Sequence, residues 1–421
     1  MEIIASYGTV FLVLAIIFGL YMTWGVGAND LANAMGTSVG AGAVTMKQAI
    51  CIAMVFEFLG AVLAGGHVTE TIRKGIIDPT PIIDRPEVLV YGMLAALLAS
   101  AIWLMTASAK GWPVSTTHSI IGALVGFAVV GIGPEAVKWQ SLVTVVMSWI
   151  VSPLVGGTIS FLLVISTRKL IFDTANPLQN AKRYAPAYLF LVRFTISLDT
   201  LFKGLEHLHL ELNALQSFAA ATLVGLLTAL AGWSLIRKVK DDPGANRTFA
   251  FASVEKVFTP MMLFTACSMA FAHGSNDVAN GIGPLAAVFS IVSSGGEVMQ
   301  KSAIPLWILL LGGFGIVLGL VTLGFQVMQT IGKRITELTP SRGFCAELAA
   351  AITVVIASRT GLPISTTHVL VGAVLGVGLA RGIGALDLRV VLNIVISWVV
   401  TLPAGAIMAM FFFFTLKGIF G

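Results

Sequence analysis

The sequence predicts an all-α polytopic membrane protein of two homologous halves, with broken helices, re-entrant hairpins and roughly 10–12 transmembrane segments. Three observations carry this. Of 421 residues, 57% are hydrophobic and only 11% charged, with 44 glycines and a mean hydropathy of +0.94. Soluble domains carry about 25% charged residues, so a soluble enzyme is excluded. Apolar stretches near the length of a bilayer span recur along the chain, and about 240 apolar residues at about 20 per span allow on the order of ten to twelve crossings. Third, the chain repeats itself.

The elements follow in order. The first run, 7–25, has Glu2 but no Lys or Arg before it, which argues against a cleavable signal peptide and favours an outside N-terminus. Further spans are predicted at about 46–66, 88–108, 141–165, 212–236, 258–272, 304–330, 343–358 and 388–416. Two shorter Gly-rich runs, 118–133 and 368–380, are too short to cross and suit re-entrant hairpins. Charged connections lie at 73–87, 166–183, 237–256 and 333–342, and their Lys and Arg read as positive-inside charges rather than a nucleic-acid patch. The stretch 237–247 is the most loop-like and is expected to be cytoplasmic. Segment 186–211 reads either as a protein-lined span or as an interfacial helix, because Arg193, Asp199, Lys203, Glu206, His207 and Glu211 interrupt its pattern. Cys51, Cys267 and Cys345 are too scattered for a disulfide framework or a metal site.

Three blocks recur at nearly one offset. Gly27-Ala28-Asn29-Asp30-Leu31-Ala32-Asn33 returns as Gly274-Ser275-Asn276-Asp277-Val278-Ala279-Asn280, 247 residues on. Pro113-Val114-Ser115-Thr116-Thr117-His118 returns as Pro363-Ile364-Ser365-Thr366-Thr367-His368 at 250, and Ser148-Trp149 as Ser397-Trp398 at 249. The duplication divides the chain into a first transmembrane repeat (1–170), a connecting region with an additional membrane helix or helices and a charged loop (171–250), and a second transmembrane repeat (251–421). Duplicated halves with Gly/Pro-interrupted hydrophobic segments point to a secondary transporter with its site at the repeat interface.

Four acids stand at membrane depth: Asp30, Glu57, Asp277 and Glu347. Such groups face a protein interior or a wet cavity. The aspartates are related by the repeat and the glutamates are not, since Leu97 stands opposite Glu347. Asn29 and Asn33, and Asn276 and Asn280, are four apart and share a helix face. Flanking glycines allow the backbone to unwind, and carbonyls beside Asn and Asp oxygens would then suit a hard cation such as Na⁺. The competing reading is interhelical hydrogen bonding. Ser115, Thr116 and Thr117, and Ser365, Thr366 and Thr367, open the short runs as half-helix N-termini whose amides and hydroxyls can face an anion, or can simply cap their own helices. His118 and His368 read more readily as hydrogen-bonded structural residues. No Lys or Arg lies within either motif, so an anion beside the aspartates needs an accompanying cation. An enzyme is not expected: there is no phosphate loop with Lys, nucleophile elbow or metal-ligand spacing.

On the paired Gly-x-Asn-Asp-x-Ala-Asn and Pro-x-Ser-Thr-Thr-His segments, the chain resembles the inorganic phosphate transporter (PiT) family, over both halves and nearly the whole length. The resemblance implies an inverted-repeat fold and Na⁺-coupled symport of inorganic phosphate by alternating access, in a multi-pass cell membrane protein (inner membrane for a Gram-negative source), with no cofactor other than Na⁺ as coupling ion. It implies phosphate contacts from Asn29, Asn33, Ser115, Thr116, Thr117, Asn276, Asn280, Ser365, Thr366 and Thr367. It implies Na⁺ ligands among Asp30, Asp277, Asn29, Asn276, Ser115, Ser365 and Glu57. Glu57, Glu347 and His273 match coupling or gating positions, and the first half has Val26 where the second has His273. Partners are phosphate, Na⁺ (or H⁺) and the lipid bilayer, with a homo-oligomer allowed and no nucleic acid. The alternative is an H⁺-coupled phosphate, metal-phosphate or sulfate permease of the same fold.

Overall fold

Helix α1, Glu2–Gly40, runs unbroken for 39 residues through the first Asn-Asp signature, and α8, Ala252–Ser293, runs 42 residues through the second. The structure, a computed structural model, describes residues 2–66, 68–69, 71, 75–78, 80–201, 213–240, 251–297, 304–325, 327–328 and 336–421. The signature glycines do not unwind the backbone. They let helices touch: a Cβ on Gly27 would sit 2.0 Å from the Ile316 carbonyl oxygen, and one on Gly274 would sit 2.1 Å from that of Glu57. The expectation of free carbonyls at the signatures is therefore corrected, because every carbonyl there lies within a continuous helix.

Around these two helices stand α2 (Met46–Ala64), α3 (Pro86–Ala109), α4 (Thr116–Gly131) and α5 (Trp139–Thr167) from the first half. The second half contributes α9 (Leu306–Thr322), α10 (Pro340–Arg359), α11 (Thr366–Arg381) and α12 (Leu388–Phe420). Between the halves, α6 (Pro177–Asp199) and α7 (Ala214–Ile236) pack on one another. Eight of the described helices are long and apolar enough to cross a membrane, and three shorter apolar ones, α4, α9 and α11, lie among them. The chain is thus a multi-pass membrane protein. The mixed segment from 186 resolves, as far as Asp199, into a helix of span length packed on α7 and α8; residues 202–212, and most of the expected loop at 237–247, lie outside the described residues.

The contacts obey a two-fold exchange. α1 packs on α3 and α9 as α8 packs on α10 and α2, while α4 lies against α12 and α11 against α5, each short helix on the long last helix of the other half. Glycine ridges make that crossing close. A Cβ on Gly122 or Gly126 would meet the Leu402 or Ala406 carbonyl, and one on Gly372 or Gly376 would meet that of Pro153 or Gly157. Small residues four apart are the usual means of close packing in lipid, where apolar surface alone gives no drive to associate.

Lys and Arg are shared unequally between the two ends. Arg168, Lys169, Lys182, Arg183, Arg237, Lys238, Arg342 and Arg381, with the acids Asp173, Glu255 and Glu337 among them, lie at the end where α5, α7 and α11 finish and α8 and α10 begin, an end tied together by the Phe172–Phe251 ring contact and the Lys182 bond to the Val239 carbonyl. The opposite end carries Glu2, Asp84, Glu87, Glu135 and Glu297 beside Arg85, Lys138 and Lys417, and brings Phe11, Tyr91 and Phe420 into contact.

Candidate functional site

The two Pro-x-Ser-Thr-Thr-His segments turn between α3 and α4 and between α10 and α11, so each short helix begins inside the protein. Ser115 and Ser365 cap those starts, their hydroxyl oxygens accepting from the His118 and His368 amides at 3.1 and 3.2 Å. The capping role foreseen for these serines is present, and it leaves each hydroxyl proton free to donate. The first-turn amides beyond the cap have no intrahelical acceptor, and the helix dipole adds partial positive charge there. Thr116, Thr117, Thr366 and Thr367 are all buried at these starts.

The tips are held by the signatures in a crossed pattern. The first asparagine of each signature anchors its own half: the Asn29 amide donates to Ser108 Oγ and the Trp112 carbonyl, both at 3.0 Å, and its oxygen accepts from Val114 N at 3.2 Å. Asn276 likewise donates to Ser358 Oγ at 3.1 Å. The second asparagine reaches the other half. Asn33 donates to Thr367 Oγ1 at 2.8 Å, and Asn280 to Thr116 and Thr117 Oγ1 at 3.1 and 3.2 Å. Thr366 closes the ring by donating to Asp277 Oδ2 at 2.6 Å. All six signature Asn and Asp side chains are buried, so signatures and tips form one site across the two-fold.

His273 enters this site from α8, one helical turn before Asp277. Its Nε2 lies 2.9 Å from Asp277 Oδ2 and 3.7 Å from Asp30 Oδ2, and its Nδ1 lies 3.2 Å from Glu57 Oε2. Asp30, His273 and Asp277 each offer a ligand atom, all within 4.8 Å of one another. No Lys or Arg lies within the motifs, but the imidazole adjoining the second one stands among three carboxyl groups, a placement that the order of residues alone does not show. The four-residue spacing of His273 and Asp277 was the available signal. Among the described residues, Asp30 Oδ2, Asn33 Oδ1, Asn276 Oδ1, both Glu57 oxygens and both His273 ring nitrogens are buried without a well-formed hydrogen bond, and of these oxygens only those of Asp30 and Glu57 have the imidazole beside them. Buried acceptors without donors are the chemistry a cation completes.

Glu347 lies apart from this cluster. Thr37 and Ser38 donate to its Oε1 at 2.6 and 2.5 Å, and Thr265 to its Oε2 at 2.6 Å, so one buried carboxyl is ringed by three hydroxyls. The two glutamates grouped together in the sequence therefore occupy different surroundings.

The repeat reveals what these groups face in the other half. The paired approaches of Gly27 to Ile316 and Gly274 to Glu57 make Ile316 the counterpart of Glu57, and Val26 is that of His273. At the same offsets, the pocket of Glu347, Thr37, Ser38 and Thr265 is mirrored by Leu97, Pro284, Leu285 and Phe18. The Ser-Thr-Thr tips are symmetric; the added acids and the imidazole are not.

His118 and His368 stack on Trp149 and Trp398, at ring-centroid separations of 3.7 and 3.5 Å, and stand 4.5 Å from each other. Each Nδ1 faces the carbonyl of the other half's tryptophan, at 3.4 and 3.2 Å. This gives the repeated Ser-Trp block its place and both histidines the structural role expected. A cleft of about 830 Å³ reaches the back of the first tip at Pro113 and Ser397, with Lys110 the one charged residue on its described wall.

The family model described as "Phosphate transporter family" matches residues 26–409. The chain belongs to the phosphate transporter family. Family relatives include a protein named "Putative phosphate permease" from Haemophilus influenzae, 51% identical over 420 residues and covering all of both chains. "Inorganic phosphate transporter 2-1, chloroplastic" from Arabidopsis thaliana is 44% identical, over 94% of this chain and 70% of its own. A solved structure titled "The sodium-dependent phosphate transporter" aligns with a TM-score of 0.91 at 42% identity, over 97% of this chain and 100% of that one. Members of the phosphate transporter family with these names are transporters, not enzymes.

Proposed function

We propose that this chain is a Na⁺-coupled symporter of inorganic phosphate that works by alternating access, with ion and anion bound together at the repeat interface. One observation carries the reading: a buried, two-fold-related set of hydroxyl and helix-start donors adjoins carboxylate and amide oxygens that have no donor of their own. Thr116, Thr117, Thr366 and Thr367, with the capped amides behind Ser115 and Ser365, hold phosphate. The Asn33 and Asn280 amides hold the tips that meet it. Asp30 and Asp277 hold Na⁺ with the donor-free oxygens of Asn33 and Asn276 beside them, and the cation screens the carboxylates from the anion. Asn29 positions the first tip. Glu57 couples through His273, and Glu347 couples from its own pocket. The halves 1–170 and 251–421 are the moving parts, joined through 171–250.

The Asp30–His273–Asp277 set and the Glu57–His273 contact also favour a second reading, H⁺-coupled transport of phosphate or metal phosphate. Uptake of labelled phosphate into proteoliposomes under separately imposed Na⁺ and H⁺ gradients decides between them. Uptake driven by the Na⁺ gradient and lost when choline replaces Na⁺ at constant pH is expected. Uptake that persists without Na⁺ overturns the sodium assignment, and labelled sulfate entering as fast as phosphate overturns the anion.

A further inference from the structure

At the basic end, away from the transport site, a cleft of about 590 Å³ opens between the end of α5, the start of α8, the start of α10 and the end of α11. Arg168, Arg342 and Arg381 line it, with Glu255 the one acid among its lining residues. Glu255 is already engaged: its carboxylate accepts from Ser341 N and Ser341 Oγ, both at 2.7 Å, and caps α10. Arg168 pairs with Asp173 at 3.0 Å while both are more than half exposed, an ion pair that contributes little and exchanges partners readily. Arg342 donates to the Glu337 carbonyl at 3.5 Å; Arg381 donates to the same carbonyl at 3.1 Å and to Thr336 Oγ1 at 3.3 Å, and lies 3.6 Å from the exposed Glu337 carboxylate. Among the described residues, no carboxylate holds any of the three guanidinium groups in a bidentate pair. The other wall is apolar, formed by Val164, Phe172, Phe251 and Ala380.

We propose that this cleft binds a phosphate group, and that its source is the headgroup of an anionic phospholipid. Guanidinium groups match phosphate oxygens in pairs, which a single point charge does not. The cleft lies at the ends of membrane-embedded helices, where a headgroup sits, and Phe251, 45% exposed, continues its apolar wall outward along the path of an acyl chain. Free phosphate has the same charge chemistry but no use for that wall. Basic pockets between helix ends on the positive side of a membrane protein are recognised lipid sites, and the positive-inside rule places this one in the cytoplasmic leaflet.

The test is binding by the full-length protein in detergent, titrated with phosphatidylglycerol, with phosphatidylcholine, or with inorganic phosphate in sodium-free buffer, read by native mass spectrometry and by thermal unfolding. The wild type is expected to retain phosphatidylglycerol over phosphatidylcholine and to melt higher with it. The Arg342→Gln/Arg381→Gln variant is expected to bind it roughly 30-fold more weakly, and Arg342→Lys/Arg381→Lys to recover part of that affinity. Na⁺-driven phosphate uptake by the Gln variant in phosphatidylcholine vesicles reports that it is folded. Equal retention of the two lipids by the wild type, or equal phosphatidylglycerol affinity in the Gln variant, overturns the proposal. Inorganic phosphate producing the whole shift in the wild type and none in the Gln variant overturns the lipid as its source.

Discussion

At the scale of single residues, the proposed site divides its polar groups between those bonded to the protein and those left to meet the ions it is proposed to carry. Asp30 and Asp277 place carboxyl groups at a depth where an unpaired charge is costly. Asp30→Asn and Asp277→Asn are each expected to lower Na⁺-driven phosphate uptake on the order of 100-fold or more, as follows from removing one charge from a buried ionic site; uptake near wild type in either would remove that aspartate from the cation site. The asparagines separate more finely. Asn280 donates to the two threonines of the opposite tip, so Asn280→Ala should raise the KM for phosphate about tenfold with a smaller change in kcat. Asn29 is satisfied at both ends of its amide by its own hairpin, and Asn29→Ala should instead lower stability by about 1–3 kcal/mol, read from thermal unfolding in detergent. The sequence made all six signature residues legible as a group because they repeat. It did not separate these roles, which depend on bonds spanning, in the case of Asn33 and Thr367, 334 positions of chain.

At the scale of elements, glycine decides how closely helices approach. The sequence suggested that glycines beside Asn-Asp mark broken backbone, because flexibility and close packing leave the same letter. The structure distinguishes them: Gly27 and Gly274 lie in unbroken helix with a neighbouring carbonyl in the space a methyl would fill. Backbone cannot retreat as a side-chain tip can, so Gly274→Ala must displace α2 from α8. A loss of at least about 1–3 kcal/mol is expected, seen as a lowered unfolding temperature and reduced yield of folded protein; Gly42→Ala, with open space around its Cβ but a positive φ, should be milder. The half-helices, by contrast, were legible outright. Their shortness and the N-cap chemistry of their Pro-x-Ser-Thr-Thr entry both mark a helix start inside the membrane, and the structure places 16-residue helices at both positions.

At the scale of the whole molecule, the excess of Lys and Arg at one end gives the chain a direction in the bilayer. The basic end should face the cytoplasm. On a background lacking Cys51, Glu135→Cys should react with a membrane-impermeant maleimide in intact cells and Arg183→Cys only after permeabilisation; the reverse pattern would invert the orientation. Composition and repeat made the membrane location and the two-half plan readable, whereas the exchange of partners between halves, α4 on α12 and α11 on α5, needed coordinates because no local pattern records a long-range choice of neighbour. The mismatch between the halves at Val26 and His273, Ile316 and Glu57, and Leu97 and Glu347 has an energetic corollary. Were the halves identical, turning the molecule over would convert its outward-open form into its inward-open form, and the empty carrier would populate both equally. Every residue without a counterpart lifts that degeneracy, and a bias of only 1.4 kcal/mol is a tenfold preference. The unmatched side chains at the centre of the site, together with the other differences between the halves, are thus expected to set the side of the membrane on which the carrier waits.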